Sequence, residues 1–265
     1  MCRFAAYIGK TKILMADLMT RPKNSLVYQK HMLLSGQPHV INADGFGMGW
    51  YNHDIDQNPA VYRAIQPVWN DLNLKHLASK IQSNCMVGHI RAASIGDVNV
   101  SNCHPFFYKN LMMVHNGIVK GFNQFKKAIV AHMSSETFNL IRGNTDTEFL
   151  FFMICSTYYE TFSEHPNGLE ESVIQTLRFI ETLDHEHKTT SRINLILTDG
   201  EKIVATRWSS KPKDDELKVF YKQTDTGTII ASECLDQDST SWKELPPQHL
   251  ISVDVNAVNK INTIQ

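Results

Sequence analysis

The sequence lacks a strong net charge, a set of paired cysteines and any long apolar run. Its formal net charge is -1, from 26 basic and 27 acidic residues, and no basic patch indicates binding to nucleic acid or to an anionic membrane. No apolar stretch approaches the roughly 20 residues that span a bilayer. The N-terminal residues also lack the pattern of a signal peptide. We therefore expect neither a nucleic-acid partner nor membrane association.

The cysteines are odd in number and widely scattered, which does not fit a disulfide framework and favours a reducing, cytoplasmic location. They are Cys2, Cys85, Cys103, Cys155 and Cys234. Cys85 and Cys103 could form a metal site with His89 and His104, but the spacings of these residues match no standard zinc pattern. We expect no metal and no cofactor.

Three alternating glycines, Gly45, Gly47 and Gly49, suggest a dinucleotide-binding loop. That motif requires a helix immediately after it. Here Trp50, Tyr51 and a run of turn residues follow. Alternating glycines in a strand instead indicate that backbone or ligand approaches one face closely.

The chain of 265 residues, with 42% apolar and 20% charged residues, has the composition of a globular protein. No linker or repeat divides it, so we expect one domain over residues 1–265. Apolar periodicity predicts helices at 25–34, 70–82, 121–132, 145–162 and 169–184. Strands are predicted at 3–9, 60–65, 85–94, 111–117, 192–200, 202–208, 217–221, 227–232 and 249–255. This order predicts two sheets with helical layers against them.

Cys2 directly follows the initiator methionine. If Met1 is removed, Cys2 carries both a nucleophilic thiol and a free α-amine with a pKa of roughly 7.7–8.0, which can act as a base. A papain-like pair of an internal cysteine and a histidine, Cys103 with His115, is an alternative.

Other polar residues stand where predicted strands end or a predicted helix begins. Arg91 can bind a carboxylate with its two-pronged guanidinium, and Asp146 can bind an ammonium group. The side-chain amide of Asn116 and the N–H of Gly117 can together stabilise an oxyanion. Each also has an ordinary role: Arg91 in a surface ion pair, Asn116-Gly117 in a tight turn, Asp146 at a helix dipole.

In combination these segments resemble the class II glutamine amidotransferases, which are N-terminal-nucleophile hydrolases. The segments are MCRF (1–4), ADGFGMGWY (43–51), GHIRAAS (88–94), NCHPF (102–106), HNG (115–117), TDTE (145–148) and IIASECLD (229–236). The resemblance implies an α+β fold, a four-layer α/β/β/α sandwich with two antiparallel sheets between helical layers.

The resemblance also implies roles for the site residues. Cys2 would be the nucleophile, with Asn116 and Gly117 as the oxyanion hole. Arg91 would bind the α-carboxylate and Asp146 the α-ammonium of a glutamyl group. Ser94 and His115, within two of the same motifs, would contribute to the substrate site. The implied reaction is hydrolysis of the γ-amide of glutamine or of a γ-glutamyl compound through a thioester.

Two departures from relatives that synthesise aminosugars affect the pocket. Ala92 stands in place of a tryptophan, and Ile95 in place of a histidine. The chain looks most like stand-alone members of the family, of the ergothioneine-pathway and glutathione-degradation types. The substrate therefore remains open between glutamine and a γ-glutamyl peptide or thiol conjugate. A third possibility is a glutaminase subunit that is inactive without a separate ammonia-accepting or peptidase subunit.

Overall fold

The computed structural model describes residues 2–32, 40–211, 217–256 and 259–264. The strands are β1 Arg3–Leu14, β2 His31–Met32, β3 Val40–Ile41, β4 Phe46–Asn52, β5 Asp56–Ala64, β6 Gln82–Ile90, β7 Phe106–Tyr108, β8 Leu111–Ile118, β9 Arg192–Thr198, β10 Lys202–Ser209, β11 Phe220–Gln223, β12 Gly227–Ala231, β13 Lys243–Glu244, β14 His249–Asp254 and β15 Asn259–Thr263. The helices are α1 Ala16–Met19, α2 Leu72–Ala78, α3 Phe122–Ala131, α4 Ser135–Phe138, α5 Asp146–Thr157 and α6 Gly168–His187, with a π-helical turn at Tyr158–Phe162. Short 3₁₀ turns lie at Tyr28–Lys30, Val68–Asn70, Val100–Asn102 and Ser239–Ser241.

Two large antiparallel sheets form the centre of the fold. The first has the strand order β13-β11-β12-β1-β6-β4-β5, and the second has the order β15-β14-β10-β9-β8-β7. In the first sheet β1 lies between β12 and β6, with Ala5 opposite Ala231 on one side and Gly88 on the other. The beginning of β1 is therefore held by hydrogen-bonded neighbours on both sides.

Alternation along the strands divides the core into three layers of side chains. Phe4, Ala6 and Ile8 face the second sheet, whereas Ala5 and Tyr7 face the layer that contains α1 and α2. On the second sheet, Met112 and Val114 face the first sheet, and their neighbours on β8 face α3, α5 and α6. This period of two places helices outside both sheets. The predicted four-layer α/β/β/α sandwich is confirmed.

Several element boundaries differ from the predictions. Strand β1 runs through Gly9 to Leu14. The helix predicted at 25–34 is wrong: a single 3₁₀ turn is followed by β2, and residues 33–34 lie outside the described part of the chain. Strand β15 and the short helices α1 and α4 were not predicted.

The alternating glycines of β4 serve close packing between layers. A Cβ at Gly47 would lie 2.1 Å from the carbonyl oxygen of His104, and one at Gly49 would lie 2.2 Å from Sδ of Met112. The interpretation of these glycines as a site of close backbone approach is confirmed. Among the described residues, no helix is both long and apolar enough to cross a bilayer.

Candidate active site

Cys2 lies immediately before β1, at the end of the first sheet. Its Sγ accepts a hydrogen bond from the Ala92 N–H and can donate one to the Ala92 carbonyl oxygen, both at 3.4 Å. Burial raises the pKa of the Cys2 thiol above its ordinary value. A thiol with a raised pKa needs a base before it can act as a nucleophile near neutral pH.

Arg3 fixes the backbone of the residue before it. Its Nη1 donates to the Cys2 carbonyl oxygen at 3.1 Å, and its Nη2 forms an ion pair with Glu233, which follows β12. The Arg3–Glu233 ion pair and the pairing of β1 with its two neighbouring strands therefore fix the backbone next to the Cys2 thiol.

Arg91 follows β6 and is only 2% exposed. Its Nη1 donates to the carbonyl oxygen of Asp97 at 3.0 Å, and its Nη2 donates to those of Ile95 and Gly96 at 3.3 Å. The chain from 92 to 97 therefore curls around the guanidinium and orients it. No carboxylate in the described residues forms an ion pair with Arg91, so the predicted surface ion pair is not its role.

A network of amides supports the same loop. Asn102 Nδ2 donates to the Asp97 carbonyl oxygen at 2.9 Å and to Oδ1 of Asn144 at 2.8 Å. Asn102 Oδ1 accepts from the Asn144 N–H at 3.0 Å. The network joins the Arg91 loop to the residues that lead into α5. Asn102 begins the NCHPF motif, but its type and position in the sequence did not reveal this contact.

Asp146 is the first residue of α5 and is 5% exposed. Its Oδ2 accepts from the Val119 N–H and its Oδ1 from the Thr147 N–H, both at 2.8 Å. Thr145 caps the helix by accepting from the Glu148 N–H at 3.2 Å. The Glu148 carboxylate, however, accepts from the N–H groups of residues 142 and 143, so only half of a capping box forms. Asp146 has no cationic side chain paired with it in the described part of the chain.

Asn116 and Gly117 lie within β8 rather than in a turn, because Asn116 pairs with Asn194 and Gly117 with Ile193 on β9. Oδ1 of Asn116 is buried and has no hydrogen-bond partner among the described groups. A Cβ at Gly117 would lie 2.0 Å from the carbonyl oxygen of Arg192, so no other residue fits there.

The N–H of Gly117 faces away from β9. Successive N–H groups of a strand point to opposite sides. The Val119 N–H meets Asp146, whereas the Lys120 N–H meets Ser191 just before β9. The N–H of residue 117 lies on the side of residue 119, towards the beginning of α5.

His115 links β8 to the helix that carries Asp146. Its Nε2 faces the Arg192 carbonyl oxygen at 3.4 Å, and its Nδ1 forms a hydrogen bond of 2.9 Å with the Thr147 hydroxyl, which also lies 3.4 Å from Oδ1 of Asp146. The His115 carbonyl oxygen accepts from His89 Nε2 at 3.2 Å, and His89 stacks on His104 with ring centroids 3.9 Å apart. Burial lowers the pKa of all three rings.

Charges of opposite sign act on the Cys2 thiol. Burial has the largest effect on the pKa of the thiol, followed by the Ala92 hydrogen bond; among the smaller effects, Arg91 lowers this pKa and Asp146 raises it. A cation and an anion therefore both act on one thiol. Ser94 is exposed in the loop after β6 and forms no hydrogen bond in the described structure, so its predicted part in the substrate site stays a prediction.

The described residues form neither the alternative metal site nor the alternative papain-like pair. No group of three or more His, Cys, Asp or Glu side chains among the described residues is placed to hold a metal ion. Cys103 is directed to the carbonyl oxygens of Ala64 and Asn99, whereas His115 contacts Thr147, so the papain-like pair is not formed.

Comparisons with known proteins agree with this architecture. The family model for class-II glutamine amidotransferases matches residues 25–264, which include Arg91, Asn116, Gly117 and Asp146 but begin after Cys2. A probable glutamine amidotransferase of Saccharomyces cerevisiae is 28% identical over 96% of this chain and 82% of its own length. A gamma-glutamyl-hercynylcysteine sulfoxide hydrolase of Mycobacterium tuberculosis is 24% identical over 97% of this chain and 95% of its own. A glutamine aminotransferase class-II domain protein of Silicibacter pomeroyi superposes over 100% of both chains with a TM-score of 0.72 and 25% identity.

Proposed function

The chain belongs to the class-II glutamine amidotransferase family, and we propose that it hydrolyses the γ-amide bond of glutamine or of a γ-glutamyl compound with Cys2 as nucleophile. The observation that carries the proposal is the pair of buried, oppositely charged side chains Arg91 and Asp146, on segments joined by the Asn102–Asn144 hydrogen bonds, whose charges both act on the Cys2 thiol. A free α-carboxylate and α-ammonium on one carbon are complementary to such a pair. Neither charged group has a salt-bridge partner in the described chain.

The first step forms a bond between Cys2 Sγ and the γ-carbonyl carbon. The thiol proton goes to the α-amine of Cys2, which is free once Met1 is removed; Met1 itself lies outside the described residues. The carbonyl electrons move onto oxygen, where Asn116 Nδ2 and the Gly117 N–H stabilise the negative charge. Asn116 is buried and its Nδ2 donates to no described residue, so this donor is available for that role.

Collapse of the tetrahedral intermediate breaks the carbon–nitrogen bond. The leaving nitrogen takes the proton from the α-amine and departs as ammonia or as an amine, leaving a γ-glutamyl thioester on Cys2. Water then attacks the thioester carbon, aided by the same amine, and releases glutamate and the free thiol. Arg91 and Asp146 hold the glutamyl group through both steps.

Three candidate functions differ in the group that leaves the γ-carbonyl carbon or in the need for a partner, and hydrolysis of glutamine is the first. Arg91 and Asp146 would read only the glutamyl half, and Ala92, next to the thiol, is small. A γ-glutamyl peptide or thiol conjugate is therefore the second candidate, favoured by the similarity to the mycobacterial hydrolase. A subunit that needs a separate ammonia-accepting or peptidase partner is the third.

A substrate panel with a cysteine control tests the proposal. We expect purified protein with Met1 removed to hydrolyse glutamine, glutathione or a γ-glutamyl anilide. Cys2→Ala should abolish this turnover, whereas Cys234→Ala, at another partly buried free cysteine, should retain it. A glutamine analogue with a diazoketone in place of the amide should label Cys2 alone, as seen by mass spectrometry. Turnover by Cys2→Ala at the wild-type rate would overturn the proposal.

The panel also separates the three substrate hypotheses. Preference for glutamine indicates an amidotransferase-type glutaminase, and preference for glutathione or the anilide indicates a γ-glutamyl hydrolase. Labelling of Cys2 without turnover of any substrate indicates dependence on a partner subunit.

A further inference from the structure

A second pocket, of about 440 Å³, lies at the side of the sandwich between β5, β7 and the first turns of α5. Its volume is in the range of roughly 300–1,000 Å³ that small-molecule sites occupy. None of Cys2, Arg91, Asn116, Gly117 and Asp146 lines it. It is therefore separate from the site proposed for the glutamyl group.

Aromatic and aliphatic side chains form the walls of this pocket: Phe106, Phe107, Tyr108, Leu140 and Phe152. Phe107 is 42% exposed, whereas Phe106 and Phe152 are buried. Flat apolar walls of this kind accept an aromatic or otherwise apolar body.

Positive charge is in excess at the pocket, with Arg63, Lys109 and Arg142 against the single carboxylate of Glu148. Lys109 is 3.6 Å from Glu136 and so has an acidic partner. Both oxygens of Glu148 accept backbone N–H groups, at 2.8 and 2.7 Å. The backbone therefore supplies the hydrogen bonds of this carboxylate, while the charges of Arg63 and Arg142 act on it without forming a hydrogen bond or an ion pair.

The guanidinium groups of Arg63 and Arg142 form no hydrogen bond and no ion pair with any described residue. Arg63 is partly buried and lies over the Phe107 ring, with its Cζ 5.9 Å from the ring centroid. Arg142 is exposed, so only Arg63 is partly shielded from water. A partly buried guanidinium without an ion pair is stabilised when an anion supplies hydrogen-bond acceptors. Its planar fork matches the geometry of a carboxylate, phosphate or sulfonate.

We propose that this pocket binds a small organic anion that carries an apolar or aromatic body. The anionic group lies between Arg63 and Arg142, and the body packs against Phe106, Phe107 and Phe152. A zwitterionic glutamyl group is a poor fit, because the walls are apolar and the surplus charge is positive.

Titration calorimetry with naphthalene-1-sulfonate as the probe tests the proposal. We expect saturable binding to the wild-type protein with one site per chain. Arg63→Gln and Arg142→Gln should each weaken binding on the order of tenfold, because each removes a charge-assisted contact. Arg21→Gln is the control, since Arg21 lies two residues after α1, in the opposite helical layer, and is ion-paired with Asp17. The cation 1-naphthylmethylammonium, with the same ring system, should not bind.

Apart from the packing of Arg63 on the Phe107 ring, neither guanidinium forms a hydrogen bond or an ion pair with a described residue, so both variants should keep the wild-type melting temperature. Three results would overturn the proposal. One is no saturable binding of the sulfonate, and another is equal affinity in wild type, Arg63→Gln and Arg142→Gln. The third is equal binding of the ammonium probe. The titration needs no turnover, so it is independent of the proposed reaction.

Discussion

The guanidinium of Arg91 donates a 3.0 Å hydrogen bond to the carbonyl oxygen of Asp97, six residues further along the chain. The loop thus fixes the orientation of the group proposed to bind the substrate carboxylate. A lysine ammonium has no planar fork and cannot reach these carbonyl oxygens and a carboxylate together. We expect Arg91→Lys to lower kcat/KM by about 100-fold, equal to about 2.7 kcal/mol, mainly through KM. Steady-state kinetics measure this, and an unchanged KM would contradict it.

Asp146 gives a second prediction, with a substrate that provides its own control. Asp146→Asn removes the negative charge proposed to bind the α-ammonium, so kcat/KM for glutamine should fall by about 30-fold or more. Glutaramate, the same γ-amide without the α-amino group, should be hydrolysed equally by wild type and variant. A similar loss on both substrates would show that Asp146 acts through structure alone. The melting temperature of the variant is measured alongside.

The oxyanion role of Asn116 predicts a different kinetic signature. Asn116→Ala removes a donor that acts on the transition state, so kcat should fall on the order of 10²–10³-fold while KM changes little. Asn194→Ala, on the paired residue of β9, is the control for loss of a buried amide nearby. A rise in KM at constant kcat in Asn116→Ala would contradict the assignment.

Asn102 is predicted to be a positioning residue. Asn102→Ala removes its hydrogen bonds to Asp97 and Asn144, which should lower the free energy of unfolding by about 1–3 kcal/mol. Because the Asp97 carbonyl oxygen also holds Arg91, KM should rise more than kcat falls. Urea unfolding and steady-state kinetics test the two effects. A loss of stability with unchanged KM would leave Asn102 a purely structural role.

The stacked histidines predict the pH dependence of stability. Burial lowers the pKa of His89 to about 3 and that of His104 well below its ordinary value of 6.5. Below pH 6.5 the unfolded chain therefore binds protons that the folded chain does not. Stability is full above that pH and falls, as the pH falls, by about 1.4 kcal/mol per unit for each such group.

His104→Phe isolates one of these groups, because neither ring nitrogen of His104 has a hydrogen-bond partner. We expect the variant to be about as stable as wild type at about pH 7 and to lose about 2 kcal/mol less on going to about pH 5. Urea unfolding at both values gives the difference. His76→Phe, at an exposed position on α2, controls for loss of an imidazole. Equal pH slopes in His104→Phe and wild type would contradict the prediction.

The periods of strands and helices predicted two sheets with helices against them, and the resemblance to the family implied the four-layer order. The local preference for a helix at 25–34 was misleading, because residues 28–30 form a 3₁₀ turn and residues 31–32 form an extended segment. Local preference alone would also predict a tight turn at Asn116-Gly117. That favoured turn dipeptide lies inside β8, where pairing with β9 outweighs the local preference.

The contacts that orient the site could not be predicted from the sequence. Asn102 acts through its side-chain amide. Val119 acts through its backbone N–H, and Thr147 through its backbone N–H and its hydroxyl. Neither backbone group depends on residue type. The contacts of Asn102 with Asn144, of Val119 with Asp146 and of Thr147 with His115 join segments that are distant in sequence. Only the folded chain shows that the Arg91 loop and the beginning of α5 share one hydrogen-bond network.

The placement of β1 between two neighbouring strands has a consequence for the order in which the molecule opens. Residues 4–8 have no exposed surface and are paired on both sides. Amides in such a strand exchange their hydrogens with solvent only when the whole molecule unfolds, whereas exposed loops exchange through local fluctuations. The proposed nucleophile is therefore attached to a segment that opens last.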